Sequence, residues 1–288
     1  MNTLRREING TGIGVYPIGL GAMPLSIAGR PEAAQAFEVI KAFVEAGGDF
    51  IDTANVYCLD DSDIGHNEQL IAKALERLGK RGSVTVATKG RLKRPKGDWT
   101  TDGRPVSLRA SCEKSLRDLN TGAITLYQLH AVDPAVDLAK SLAELMRLKE
   151  EGKILHIGLS NITPRQLEQA LAMTPIASVQ NRCNVLEQKD FKNGMVALCE
   201  AKDVAYIPHS PVGGHYGQVR LREQPMLKRL GDKYSASPYQ IALAWLLHKG
   251  EHILPIPGAS KPKSILDSLK AVNLRLSQED VAALDRLG

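Results

Sequence analysis

Short apolar runs alternate with amphipathic helical segments along the chain of 288 residues. These runs are almost continuously apolar, which is typical of strands whose two faces are both buried in a parallel sheet. The pattern predicts eight strands, at residues 15–20, 49–53, 84–88, 124–129, 154–159, 177–180, 204–208 and 252–256.

The segments between the predicted strands carry helix signals. Thr163 and Ser237 each precede a proline, as an N-cap precedes the first helical residue. Gly47 and Gly152 are expected to end helices. Eight strand–helix units predict the α/β class and a (β/α)8 TIM barrel, with residues 1–288 as one domain.

A doubly wound sheet is the alternative architecture. Such a sheet normally has a glycine-rich turn after its first strand, and the run from Gly19 to Met23 contains only a fragment of GxGxxG. The barrel is therefore favoured, and its active site is expected at the carboxyl ends of the strands.

Four polar residues stand at or just beyond strand ends on that face. Asp52, Lys89 and His130 each follow an apolar run, and Tyr57 lies five positions after Asp52. Any one of them could be a packed polar group. Together, a carboxylate, an ammonium, a phenol and an imidazole can move one proton at a carbonyl oxygen. The charge of Lys89 is expected to lower the pKa of Tyr57, which would make the phenol a better acid.

Composition excludes several other classes of protein. The chain is 43% apolar and 24% charged, and no apolar stretch approaches the length of a membrane span. The first seven residues lack the apolar region of a signal peptide. The four cysteines are scattered without metal-ligand spacing, so free thiols in a cytoplasmic protein are expected rather than a disulfide framework or a metal site. The net charge of +5 comes with no nucleic-acid-binding motif.

The chain resembles the aldo-keto reductases over nearly its whole length. The resemblance rests on the four polar residues and on the runs 19–23, 158–161, 179–181 and 256–260, in this order. It implies that Tyr57 is the general acid, that Lys89 tunes it, that Asp52 pairs with Lys89, and that His130 orients the substrate carbonyl.

The resemblance also implies a nicotinamide cofactor, NADPH/NADP, lying across the barrel mouth. It implies that Ser160, Asn161 and Gln180 bind the carboxamide; Ser160 and Asn161 could also form a cap ahead of the next helix, a role that could hold alongside the first. Further cofactor contacts are expected at Gly21, Ala22, Met23, Asp52, His209, Ser210, Pro211, Val212, Gly214, Gly258, Ala259, Ser260, Lys261, Ser264, Asp267 and Ser268.

Residues 258–263 are expected to open a helix whose amino end receives a phosphate. Lys261 favours NADPH over NADH, because the 2′-phosphate needs a cationic partner. The chain departs from the family pattern at Ser264 and Ser268, where arginine and asparagine are frequent, which weakens the cofactor preference. It also departs at His209, where an aromatic ring is usual and where imidazole can titrate.

The sequence therefore predicts an oxidoreductase that reduces small-molecule aldehydes or ketones. Two alternatives stay open: an NAD(P)-dependent sugar or alcohol dehydrogenase working in reverse, and a cofactor-sensing interaction subunit like the potassium-channel β subunits. No obligate protein partner, nucleic acid or membrane is implied. Trp99 is a candidate wall of the substrate pocket, and the substrate itself is not readable from the sequence.

Overall fold

The computed structural model describes residues 5–288, apart from the side chains of residues 215 and 216. The first four residues of the predicted 1–288 domain lie outside this range. The strands are β1 (Arg6–Ile8), β2 (Ile13–Val15), β3 (Leu20–Gly21), β4 (Phe50–Asp52), β5 (Thr85–Gly90), β6 (Leu92–Lys93), β7 (Thr100–Thr101), β8 (Ile124–Leu129), β9 (Ile154–Ser160), β10 (Ser178–Gln180) and β11 (Ala205–Tyr206). Seven of them form the parallel sheet at the centre of the fold, in the order β3-β4-β5-β8-β9-β10-β11.

Helices connect and surround these strands. Within residues 5–288 they are α1 (Ala33–Glu45), α2 (His66–Arg77), α3 (Pro105–Leu119), α4 (Leu138–Glu150), α5 (Pro164–Leu171), α6 (Lys189–Lys192), α7 (Met195–Ala201), α8 (Gly214–Glu223), α9 (Pro225–Tyr234), α10 (Pro238–His248), α11 (Pro262–Leu269) and α12 (Gln278–Asp285). Short 3-10 turns lie at Met23–Leu25, Asp61–Asp63, Pro95–Gly97 and Lys270–Asn273. None of the helices in this range has the length and apolar character that a membrane crossing requires.

The predicted helix boundaries are confirmed where their chemistry is specific. Thr163 and Gln166 form a capping box at the start of α5, and Ser237 accepts from the backbone N–H of Gln240 at the start of α10. Gly47 and Gly152 follow helices with φ of 92° and 72°, a conformation that costs glycine little.

The sheet has seven strands rather than the predicted eight. The eighth predicted segment, 252–256, makes only isolated bridges and single hydrogen bonds, although it reaches both edges of the sheet. Leu254 donates to the Tyr206 carbonyl on one side, and Gly19 donates to the Pro255 carbonyl on the other. Prolines at 255 and 257 have no N–H to return, so a regular ladder to β3 cannot form.

The first predicted strand, 15–20, is also wrong in extent. Only Leu20–Gly21 joins the parallel sheet, while Ile13–Val15 pairs with Arg6–Ile8 as an antiparallel hairpin. Pro17 separates the two because it lacks a ladder donor. Ile8 and Val15 pack in one apolar cluster with Phe50, the first residue of β4. The hairpin therefore covers the amino ends of the parallel strands, away from their carboxyl ends.

Candidate active site

The carboxyl ends of three neighbouring strands bring the predicted polar residues together. Asp52 ends β4 and pairs with Ala87 of β5, whereas Lys89 lies two residues further along β5. His130 follows β8, and its backbone N–H donates to the Gly90 carbonyl over 3.2 Å. Parallel strands end at one edge of a sheet, and for this reason residues far apart in sequence meet there.

The Lys89 ammonium is the centre of the group. It is fully buried and donates to Asp52 Oδ1 over 2.5 Å, to the Thr53 carbonyl over 2.9 Å and to Tyr57 Oη over 2.9 Å. All three of its N–H donors are therefore used, and the ammonium is fixed between the carboxylate and the phenol.

The second oxygen of Asp52 accepts from two glutamine amides. Gln180 Nε2 lies 2.8 Å from Asp52 Oδ2, and Gln128 Nε2 lies 3.1 Å from it. The prediction did not include Gln128, although it lies two residues before His130, on the same face of β8 by strand alternation. These amides satisfy a buried carboxylate that would otherwise be costly.

Burial is the largest single influence on the pKa values of Tyr57 and Lys89, but it sets the net direction only for Tyr57. It raises the pKa of Tyr57; Lys89 offsets part of this rise, and Asp52 adds to it. The expectation that Lys89 brings the pKa of Tyr57 below its ordinary value is therefore wrong for the net effect, since desolvation outweighs the ammonium. Burial alone would lower the pKa of Lys89. The adjacent Asp52 and Tyr57 raise it by more than burial lowers it, so the net pKa is above the ordinary value.

His130 is neutral in this setting. Burial, together with the charges of Lys89 and Arg91, holds its pKa well below the ordinary value. Its ring meets the Tyr57 ring edge-on, with centroids 5.8 Å apart, and its Nδ1 is buried without a hydrogen-bond partner in residues 5–288. A neutral imidazole beside the phenol can orient a carbonyl oxygen without adding charge.

An indole forms a third wall of this space. The Trp99 ring lies 6.4 Å from both the Tyr57 and His130 rings, centroid to centroid, in edge-on geometry. Its other neighbour is Arg94, whose guanidinium carbon lies 4.0 Å from the indole centroid. Trp99 therefore lies beside the four-residue group, and its role as a wall of the substrate pocket stays a prediction.

Ser160 and Asn161 follow β9 beside the four-residue group. Asn161 adopts φ of 56°, and its side-chain amide donates to the His130 carbonyl over 3.0 Å and to Ser160 Oγ over 3.1 Å. Its oxygen lies 3.2 Å from His209 Nε2. Backbone pairing sets Ser160 beside Gln180, so the structure brings together the three residues expected to bind a carboxamide.

His209 lies in the loop after β11. Burial lowers its pKa to about 4, with Lys89 and Arg182 acting in the same direction, so this imidazole is neutral near pH 7. The loop continues through Ser210, whose Oγ accepts from Arg182 over 3.2 Å, and through Pro211, Val212 and Gly214.

Two glycines allow the eighth segment to approach the start of the sheet. Gly21 donates to the Pro257 carbonyl and bridges Gly258, and a Cβ on Gly21 would lie 2.7 Å from the Ile256 carbonyl oxygen. Ala22 and Ala259 are buried next to this contact, while Met23 packs on the apolar cluster that contains Tyr57.

Residues of the predicted phosphate-binding segment are at the amino end of α11. Lys261 is exposed and lines a surface cavity of about 600 Å³ together with Phe37, Arg77 and Lys263. Ser260 accepts from Gln35 through its carbonyl.

The remaining predicted residues of α11 bond within the protein. Ser264 is exposed and accepts through its carbonyl from Ser268, whereas the Asp267 carboxylate accepts from Ser237 and Gln240 of α10, over 2.6 Å in each case. Both carboxylate oxygens of Asp267 therefore already accept a hydrogen bond from another side chain of the protein. No group of three or more potential metal ligands occurs in the described range.

Comparison with known proteins gives one consistent family. The sequence model of the aldo/keto reductase family matches residues 17–288. A probable aldo-keto reductase of Glycine max is 33% identical, over 94% of this chain and 84% of its own length. An uncharacterized oxidoreductase of Schizosaccharomyces pombe is 34% identical, over 95% of this chain and 87% of its own length.

Solved structures agree with this result. A thermostable aldo-keto reductase in complex with the inhibitor epalrestat has a TM-score of 0.85 at 28% identity, covering 99% of this chain and 100% of its own. A glycerol dehydrogenase from Gluconobacter oxydans has a TM-score of 0.84 at 25% identity, covering 100% of this chain and 95% of its own.

Proposed function

The chain belongs to the aldo/keto reductase family, and we propose that it reduces aldehydes or ketones to alcohols with NADPH. The observation that carries this proposal is the position of the Lys89 ammonium, 2.5 Å from Asp52 and 2.9 Å from Tyr57, next to a neutral His130. This arrangement provides a proton donor with a cation at its oxygen.

Each residue has one task in the proposed reaction. His130 donates a hydrogen bond that orients the substrate carbonyl, and Tyr57 Oη transfers its proton to the carbonyl oxygen. A nicotinamide nucleotide, when bound, would supply the hydride for the carbonyl carbon. The phenolate left on Tyr57 is stabilised by Lys89 and regains a proton from water. Asp52 keeps Lys89 charged and in place.

Tyr57 is protonated at neutral pH, because burial raises a pKa that is already near 10, so the proton to be donated is present before the substrate arrives. The Lys89 contact favours the phenolate over the phenol, and it therefore acts most strongly as the proton leaves.

The residues present fit a nicotinamide nucleotide. Gln180 uses its amide nitrogen on Asp52, while its oxygen accepts no hydrogen bond within residues 5–288 and can receive a carboxamide N–H. Ser160 and Asn161 lie beside it, and His209 offers a neutral ring in the same space. Such contacts would set which face of the ring meets the substrate.

The cationic cavity at α11 supports NADPH over NADH. Arg77, Lys261 and Lys263 line it against one carboxylate, that of Glu38, and the helix amino end adds its own partial positive charge. The 2′-phosphate of NADPH would neutralise part of this positive charge, whereas NADH has no phosphate at that position.

The reverse reaction is the second candidate. A neighbour at 25% identity is a glycerol dehydrogenase, and the same four residues would remove a proton from an alcohol.

Buried, unpaired thiols at all four cysteines are compatible with the reducing cytoplasm that we propose as the location.

The decisive experiment combines binding with turnover. Calorimetry should show one NADPH per chain, and nicotinamide absorbance should fall when reactive aldehydes are added. Alcohols with NADP and NAD test the reverse direction in parallel. A chain that binds no nicotinamide nucleotide would refute both candidates.

A further inference from the structure

Arg94 is a buried cation without a carboxylate partner. Its side chain is only 5% exposed, and no Asp or Glu oxygen in residues 5–288 lies within ion-pair distance of it. Arg91, also buried in the same segment, pairs with Asp133 over 3.3 Å. Burial of an unpaired charge is costly, so an isolated guanidinium needs an explanation.

Contacts inside the protein use only part of this guanidinium. Its Nη2 donates to the Cys58 and Leu59 carbonyls, over 3.3 Å in both cases, and its face stacks on Trp99. Nε and Nη1 are buried with no hydrogen-bond partner within the described chain. A purely structural role would account for Nη2 and the stacked face, but it leaves these two donors unused.

The carboxylates nearest in sequence to its contacts already have donors. Asp61 accepts from the Arg94 backbone N–H over 3.1 Å, and Asp63 pairs with Arg30 over 2.5 Å. Asp60 accepts from Ser62, and these bonds, with a smaller effect of the Arg94 charge, lower the pKa of its carboxyl, but it forms no ion pair with Arg94. The loop that surrounds the guanidinium therefore contains acidic groups whose bonds are made elsewhere.

The position of Arg94 connects it with the reacting centre. A single indole, Trp99, separates the guanidinium from the Tyr57 and His130 rings. Trp99 is 49% exposed, so it can turn toward solvent at a modest loss of buried apolar surface. Turning it would uncover the guanidinium on the side of Trp99, where a ligand that contacts Tyr57 could reach it.

We propose that Arg94 is an anion subsite of the substrate pocket, and that the preferred substrates are aldehydes or ketones bearing a carboxylate. This inference rests on the proposed carbonyl reduction. The carboxylate would lie about one aromatic ring from the carbonyl, because one indole now fills the space between the guanidinium and Tyr57. Each guanidinium N–H that no protein acceptor uses can form a charge-assisted hydrogen bond with a carboxylate oxygen. Trp99 would act as the movable cover of the subsite.

A matched pair of substrates tests the charge directly. Para-carboxybenzaldehyde and its neutral methyl ester differ in little but the anion, and wild-type kcat/KM should favour the acid. In Arg94→Gln the ratio of acid to ester should fall by about ten-fold to a hundred-fold, the usual effect of a charged hydrogen bond. Arg94→Lys should keep part of the preference. Lys96→Gln, an exposed charge in the same loop, should leave the ratio unchanged.

Tryptophan fluorescence provides a measurement without turnover. The chain has two tryptophans, and Trp245 is buried with its N–H bonded to Asp285, so Trp99 should report alone. Benzoate should change the emission with saturation, benzamide should not, and Arg94→Gln and Trp99→Phe should each abolish the response.

Two results would overturn the subsite. One is a wild-type enzyme that reduces acid and ester equally well; the other is an Arg94→Gln variant that responds to benzoate as wild type does. If the ester is reduced with NADPH in either case, the proposed function stands and only the anion subsite fails. If neither substrate is reduced, the proposed function itself is in question, and the benzoate titration decides the subsite alone.

Discussion

Gln180 Nε2 lies 2.8 Å from Asp52 Oδ2, so the residue expected to hold a carboxamide also holds the carboxylate behind Lys89. Its neighbour Gln128 bonds the same oxygen but has no expected contact with the cofactor. The two glutamines therefore separate support of Asp52 from binding of the nicotinamide.

Replacing each glutamine by leucine should reveal this division. Either change removes a donor from a buried carboxylate and should lower the free energy of unfolding by roughly 1–3 kcal/mol. Only Gln180→Leu should also weaken NADPH. Urea denaturation and calorimetry measure the two effects. Equal weakening of NADPH in both variants would show that Gln180 acts only through Asp52.

Tyr57→Phe should remove the proton donor and keep the ring. General acid catalysis contributes roughly 10²–10⁴-fold, so kcat should fall by about that factor with NADPH affinity retained. Single-turnover kinetics would measure the chemical step. Near-normal turnover would mean that another group supplies the proton.

Lys261→Ala should weaken NADPH more than NADH. A charge-assisted contact contributes about 1.5–3 kcal/mol, which corresponds to roughly ten-fold or more in affinity, and only NADPH carries the 2′-phosphate. Lys270→Ala is the control, because it removes the same charge beyond the far end of α11. The assignment fails if both nucleotides weaken equally.

His209 and His130 should both stay neutral in the physiological range. The pKa of His209 is lowered to about 4 and that of His130 lies well below its usual value. Neither imidazole gains its proton until the pH falls well below an unperturbed value of about 6.5. The rate of reduction should consequently show no acidic limb between about pH 7 and pH 5. A limb near pH 6.5 that disappears in His209→Phe would contradict this.

A buried acid behind β5 should make stability fall as pH rises. Glu68 of α2 accepts from Thr88 over 2.5 Å, its other oxygen has no partner in the described structure, and burial raises its pKa to about 7. Between about pH 4.5 and 7 the folded state binds more protons than the unfolded chain, so stability declines through that window, by roughly 3 kcal/mol.

Glu68→Gln should remove that part of the pH dependence. Urea unfolding at about pH 5 and pH 8 should show a smaller difference for the variant than for wild type. Glu45→Gln, a change at an exposed carboxylate, is the control and should behave as wild type. An unchanged slope in Glu68→Gln would mean that Glu68 is ionised throughout.

The sequence predicts the site better than the edges of the sheet. Strand ends are marked by a change from apolar to polar residues, and so Asp52, Lys89 and His130 could be placed on one face. Gln128 could have been predicted as a site residue from the same alternation of strand faces. The stacking of Arg94 on Trp99 could not, because it depends on an irregular loop in which Lys96 adopts φ of 50°.

The sheet edges were mispredicted because apolar periodicity ignores backbone donors. The runs 15–20 and 252–256 are apolar enough for strands, yet Pro17 and Pro255 remove N–H groups from the ladders that would define them. Similarly, the sign of the Tyr57 pKa shift required knowing how deeply the phenol is buried, and residue type alone does not provide that.

The meeting of the 252–256 segment with the start of the chain also affects how the protein folds. Arg6 of the hairpin donates to the Gly250 carbonyl, 244 positions away. Contacts between such distant residues form late, because a long loop must close first. The four-residue group lies between positions 52 and 130, whereas the segment that completes its surroundings lies more than 100 positions later. Until residues 252–258 join β3, the phenol of Tyr57 and the ammonium of Lys89 should therefore be open to water, and their burial should come with the closure of this long loop.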